Sequence, residues 1–140
     1  PPMSAWMILR GMKTLDMRMK KHCENGLAVA EFLEEEENVE LVKYPALKSH
    51  PQYELCKTQM NGLGGGVVSF KLKDGISGLT RDQASRRLMN SLELATIATS
   101  LGEEHTLVQM NGENLIRIAV GLESSNDIIN DFKQAIEKLK

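Results

Sequence analysis

Two short stretches alternate apolar and polar residues with a period of two. In GVVSFKLK, Gly66 to Lys73, residues Val68, Phe70 and Leu72 share one face, and Val67, Ser69 and Lys71 share the other. In NLIRIAVGLE, Asn114 to Glu123, residues Ile116, Ile118 and Val120 alternate, with Arg117 between the first two and pointing to the opposite face. Strands of this pattern bury one face only, so the chain must build a sheet with helices packed on that side. The second face carries Ser69, Lys71, Arg117 and Ala119. It is either solvated or docked against another surface.

The rest of the chain reads as helices around these strands. Ile8, Met12, Leu15, Met19, Cys23, Gly26, Val29 or Ala30, and Leu33 recur at three- and four-residue steps, which predicts one helix from about Ser4 to Glu34. Such a helix would be roughly 45 Å long, against a radius of gyration of about 14 Å for a domain of this size. One end must overhang. Trp6, Met7, Ile8 and Leu9 are consecutive and cover all sides of that end, so residues 1–12 are expected to contact a further domain; fraying of a free terminus is the alternative. Five of the eight methionines precede residue 20. Methionine clusters suit an adaptable contact surface, and equally a Met-rich core helix.

The acidic run Glu34 to Glu37 ends the first helix, because it opposes the helix dipole. VELVKYP, Val39 to Pro45, predicts a strand closed by proline. Ser49 to Met60 predicts a helix with Ser49 and Gln52 as a capping box, stopped at Asn61-Gly62. Thr80 and Gln83 form another capping box, opening a helix to about Ser91. Leu94 to Ser100 predicts a third strand and Leu115 to Val120 a fourth. Ser124 or Ser125 caps a last helix with the stripe Ile128, Phe132, Ile136 and Leu139. The order α-β-α-β-α-β-β-α predicts a single α+β domain over residues 1–140. Its expected form is a two-layer sandwich: a small, largely antiparallel sheet of about four strands, helices on one face, and a long N-terminal helix.

Composition excludes several classes. The 140 residues carry 17 Lys+Arg against 19 Asp+Glu, for a net charge of −2, so no electrostatic footprint for nucleic acid or an anionic membrane is present. No apolar run approaches a bilayer span, and no charged-then-apolar leader is visible. Cys23 and Cys56 lack metal-type spacing, and reduced thiols in a cytoplasmic protein are the expectation.

Catalytic motifs are sparse. GLGGGVVSF, Gly62 to Phe70, is not a phosphate loop: it follows a helix and opens a strand, whereas phosphate loops follow a strand and open a helix. A flexible lead-in to the strand is expected. His22 lies beside Lys20 and Lys21 and is expected at the surface. His50 and His105 are isolated, and EEHT, Glu103 to Thr106, has no second ligand cluster. Arg117 stands apart. It is either a surface arginine on an exposed sheet face or a guanidinium fork held on a semi-rigid strand, suited to bidentate binding of a carboxylate. The loop TSLGEEHTL, Thr99 to Leu107, brings Ser100 and backbone amides near the same spot.

Five segments follow one another in an order that resembles one family: SAWMILRGMKTLDMRMKKHCENGLAVAEFLE, VELVKYPALKSHPQYELCKTQM, GGGVVSFKLKDG, TSLGEEHTLV and NLIRIAVGLESSNDIINDF. The chain resembles, over its whole length, the C-terminal domain of the pyridoxal-phosphate-dependent enzymes of cysteine and methionine metabolism. These include cystathionine γ-synthase, cystathionine γ-lyase, cystathionine β-lyase and methionine γ-lyase. The resemblance implies that Arg117 grips the substrate α-carboxylate, that Ser100 belongs to the same pocket, and that Thr99 lines the side-chain pocket. A glutamate at Thr99 would suit the distal ammonium of cystathionine; neutral Thr99 does not.

The resemblance also implies partners outside this chain. The family's Schiff-base lysine, pyridinium aspartate and phosphate site lie in a large cofactor-binding domain, so no catalytic residue and no pyridoxal phosphate site is expected here, and the chain alone is expected to be inactive. The family loop with an HPA…TH pattern is absent: HTLVQ, His105 to Gln109, runs straight into MNGENLIR. The implied whole is a homotetrameric cytoplasmic lyase or transferase acting on cystathionine, methionine, cysteine or activated homoserine by elimination or γ-replacement, with the cofactor as electron sink. The alternative is a stand-alone, non-catalytic binding or assembly module derived from such a domain.

Overall fold

The computed structural model describes all 140 residues. The helices are α1 (Pro2–Met12), α2 (Leu15–Glu35), α3 (Tyr53–Gln59), α4 (Arg81–Ser91) and α5 (Ser125–Glu137). The strands are β1 (Val39–Lys43), β2 (Val67–Leu72), β3 (Thr96–Ile97), β4 (Leu107–Asn111) and β5 (Leu115–Ala119). They form one sheet in the order β1-β2-β5-β4-β3, antiparallel throughout except for the parallel pair β3–β4. The α+β prediction holds, with five strands rather than about four.

The alternation read from the sequence decides which face is covered. Val68, Phe70 and Leu72 on β2, and Ile116 and Ile118 on β5, are fully buried; Ser69, Lys71 and Arg117 between them stay partly exposed. On the covered side the core adds Val29 and Leu33 from α2, Leu88 from α4, and Ile128, Phe132 and Ile136 from α5. The Phe70 and Phe132 rings meet edge to face at 6.1 Å. The Thr80–Gln83 capping box is complete: the Gln83 N–H donates to Thr80 Oγ1 and the Thr80 N–H to Gln83 Oε1. Ser124 is the N-cap residue of α5, although its hydroxyl makes no cap bond.

Several boundaries differ from expectation. The single long helix is two helices, broken at Lys13–Thr14, where Thr14 (φ −109°, ψ 4°) leaves the helical region. The Arg18 side chain stabilises the break, donating from Nη2 to the Gly11 carbonyl at 2.8 Å and from Nε to Thr14 Oγ1; this satisfies a carbonyl the ended helix leaves free. Burial along the predicted stripe starts only at Cys23; no residue of α1 is buried.

His22 is itself a correction, because it is buried rather than at the surface. Its Nδ1 lies 2.6 Å from the Val120 carbonyl, which only accepts, so Nδ1 carries the proton. The helix predicted from Ser49 spans only Tyr53–Gln59. Ser49 bonds Glu34 instead of capping, and successive turns fill the gap from Tyr44 to Tyr53. The third strand shrinks from Leu94–Ser100 to Thr96–Ile97, because the N–H groups before it and the carbonyls after it bond to side chains. Strand β4 was not expected. It pairs with both β3 and β5.

The glycine run is a packed lead-in rather than a flexible one. A Cβ on Gly64 would sit 2.4 Å from the Tyr44 ring. The Tyr44 hydroxyl donates to the Gly65 carbonyl at 2.9 Å, with the Cys23 carbonyl at 3.2 Å. Cys23 and Cys56 are buried free thiols. No helix is long and apolar enough to cross a membrane.

Candidate functional site

Arg117 sits mid-strand on β5 with Ser69 of β2 and Gln109 of β4 as its register partners. Its Nη2 donates to two main-chain carbonyls beyond β3, Thr99 O at 3.0 Å and Ser100 O at 3.1 Å. Its Nε is buried with no partner. Nη1 has no protein partner either, so one end of the guanidinium is anchored and the other is free. A cation held this way is presented to an anion with little freedom left to lose.

The structure therefore brings together all three residues singled out from the sequence, with a difference in the atoms used. Thr99 and Ser100 meet Arg117 through their carbonyls. The Ser100 hydroxyl turns instead to Glu103 Oε1 at 3.1 Å. Both residues are exposed. Thr99 also lines a groove of about 490 Å³ between α4 and the β3–β4 edge, with Arg86, Met89, Ile97, Gln109 and Met110; no carboxylate lines it.

Behind Arg117, the turn that ends its strand is locked by buried polar side chains. The Val120 N–H donates to the Gly66 carbonyl, while the Val120 carbonyl accepts from His22. Asn25 Nδ2 donates to the carbonyls of Gly121 and Glu123 at 3.0 and 2.8 Å. The Gly121 N–H donates to Thr106 Oγ1, whose hydroxyl donates to Glu123 Oε2, and the Thr106 N–H donates to Glu123 Oε1. Gly121 is required here, since a Cβ would lie 2.5 Å from the Glu104 carbonyl oxygen. These anchors join α2, β4 and β5, elements distant in sequence. No local pattern could have revealed His22, Asn25, Thr106 or Glu123.

No cluster of three His, Cys, Asp or Glu side chains gathers to hold a metal. As for a cofactor aldehyde, no lysine of the chain is buried, and the glycine run leads into β2 rather than into a helix. The residues present do not fit as a pyridoxal phosphate seat.

The α+β fold described above matches a portion of solved enzyme structures. A putative O-acetylhomoserine (thiol)-lyase from Campylobacter jejuni, whose structure holds a pyridoxyl-lysine monophosphate, superposes with a TM-score of 0.87 at 35% identity, covering 97% of this chain and 32% of that one. Yeast cystathionine γ-lyase superposes equally well, at 34% identity over 99% of this chain and 39% of its own. An L-methionine γ-lyase from Treponema denticola is 46% identical over 99% of this chain and 37% of its own length. The family of Cys/Met metabolism PLP-dependent enzymes matches residues 1–137, and the chain belongs to that family. It spans under two-fifths of the length of the curated relatives it matches. The alignment with the Treponema relative runs over 156 positions against 140 residues here, so at least 16 positions are filled only by the relative.

Proposed function

We propose that this chain is the small domain of a pyridoxal-phosphate-dependent enzyme acting on sulfur amino acids by β- or γ-elimination or γ-replacement, and that Arg117 binds the substrate α-carboxylate. The observation that carries this is the half-anchored guanidinium: Nη2 bound to the Thr99 and Ser100 carbonyls, Nη1 without a protein partner. A carboxylate meeting it gains a charge-assisted contact in a fixed orientation, which aligns the α-carbon relative to the rest of the protein. Family membership supports the chemistry, and the lack of a cofactor seat in this chain supports a division of labour in which a larger domain holds the cofactor. The groove beside Thr99 offers no anion to a distal ammonium, which favours an uncharged thioether end over cystathionine.

The exposed apolar α1 supports the large domain as partner. Trp6, Met7, Ile8 and Leu9 are each more than half exposed, and burying such side chains is favourable by about 1.5–3 kcal/mol apiece. The assembled protein is proposed to be a cytoplasmic homotetramer, as in the family the sequence resembles. The test is Arg117→Ala in the holoenzyme. KM for the amino acid should rise about ten- to a hundredfold, turnover should fall, and cofactor absorbance per protomer should not change. Unaltered kinetics would refute the carboxylate role.

A further inference from the structure

We infer that Asp131 is a positioning residue for the carboxylate site: its buried carboxylate fixes the edge strand from which the Thr99 and Ser100 carbonyls hold Arg117. The inference rests on the carboxylate role proposed for Arg117. Asp131 lies on α5 and is 6% exposed. Its Oδ1 accepts the Glu93 N–H at 2.7 Å, and its Oδ2 accepts those of Leu94 at 3.0 Å and Ala95 at 2.9 Å. Gln134 Nε2 donates to Oδ1 at 3.1 Å and to the Ser91 carbonyl at 2.7 Å. Three consecutive N–H groups on one carboxylate form an anion cradle, and charge-assisted bonds of this kind are about twice as strong as neutral ones.

What this cradle holds is the segment that otherwise has least support. Strand β3 is two residues long and lies at the sheet edge. Its parallel ladder to β4 has just two residue pairs, Thr96 with Leu107 and Ile97 with Val108, and the Thr96 N–H to Thr106 O at 3.0 Å and the Ala98 N–H to Val108 O at 3.1 Å hold its ends. Asp131 binds the residue immediately before β3, and Arg117 binds the chain two residues after it. The stretch from Glu93 to Ser100 is thus pinned at one end by Asp131 and at the other by the guanidinium. Releasing the first end lets Thr99 and Ser100 move. Arg117 then loses its fixed acceptors and must be ordered anew each time a carboxylate binds.

The test uses the holoenzyme that contains this chain. kcat/KM is measured for L-methionine or L-cystathionine, whichever the wild type turns over faster, and for its α-carboxamide. The ratio of the two reports carboxylate recognition. A general loss of folded or loaded enzyme scales both values and leaves the ratio unchanged. Asp131→Asn keeps the shape but turns an NH2 group toward a main-chain N–H. The ratio should fall about tenfold, through KM of the amino acid, with cofactor absorbance per protomer unchanged. Glu93→Pro removes one N–H donor without touching the carboxylate, and Leu92 (φ −68°, ψ 139°) already has the extended conformation a residue before proline needs. Its ratio should fall in the same direction by a smaller factor, and it decides the matter if Asp131→Asn does not fold. A wild-type ratio in Asp131→Asn, or in Glu93→Pro where only that variant folds, overturns the inference. Arg117→Ala in the same assay separates the two ideas. If it abolishes the discrimination while Asp131 variants keep it, only the positioning role fails. If Arg117→Ala keeps the ratio, the carboxylate role fails and takes the positioning role with it.

Discussion

Tyr44 shows how one side chain can link two ends of the fold and leave a measurable trace. It is fully buried, and its hydroxyl reaches the carbonyls of Gly65 and Cys23. Burial pushes its phenol well above the ordinary value of 10.0, with Cys23 and Cys56 adding smaller contributions in the same direction. The unfolded chain therefore loses this proton first. Stability linked to Tyr44 is complete below pH 10 and declines as pH rises past it, because only the unfolded state ionises there. Urea unfolding followed between about pH 9 and pH 11 should show the midpoint falling, and Tyr44→Phe should lose that slope while being less stable at neutral pH. Gly121 makes a second test at this scale. Its missing Cβ is what lets the turn after Arg117 approach Glu104, so Gly121→Ala forces backbone apart. A loss of about 1–3 kcal/mol in unfolding free energy is expected from such overpacking, read from the urea midpoint.

At the scale of elements, α4 was legible because its signals are local. Thr80 and Gln83 lie three residues apart and satisfy each other's backbone partners, whatever the rest of the chain does. Thr80→Ala should cost about 0.5–2 kcal/mol, measured by thermal unfolding, and Thr80→Ser should restore most of it. The stripe of α5 and the alternation of β2 and β5 were legible for the same reason, since helix and strand periods are short. Where sequence failed, a distant residue decides. Strand β3 starts late because Asp131, more than thirty residues away, takes the N–H groups a longer strand would have paired, and it ends early because Arg117 takes the Thr99 and Ser100 carbonyls. The break at Lys13–Thr14 rests on Arg18, which no periodicity marks. His22, read beside its lysine neighbours, is turned inward by the end of β5, ninety-eight residues on. The site followed the same rule. Arg117 stood out because a guanidinium interrupts an apolar alternation. Its carbonyl anchors and the His22, Asn25, Thr106 and Glu123 lattice behind it did not, because they meet only in three dimensions.

For the whole molecule, the question is what covers α1. Its outward residues Met3, Trp6, Met7, Ile8, Leu9 and Met12 are all more than half exposed, and Leu15, Met17 and Met19 carry the apolar surface past the break into α2. The Arg10 guanidinium lies 5.4 Å from the Trp6 ring centroid. A surface this continuous is unfavourable in water and adhesive. The chain by itself should therefore self-associate through α1, reversibly and with concentration, while the sheet and its covered face stay intact. Sedimentation velocity on the wild type should show species above the monomer of 15.6 kDa. Trp6→Ser with Leu9→Ser should run as a monomer of unchanged helix content outside α1. In the intact enzyme the same pair of substitutions should loosen the packing of this domain on the cofactor-binding one, lowering cofactor retention without altering KM in the loaded fraction. A monomeric wild type whose Trp6 fluorescence is already blue-shifted would mean that α1 folds back onto its own domain. The large-domain contact proposed for residues 1–12 would then be wrong, whatever Arg117 does.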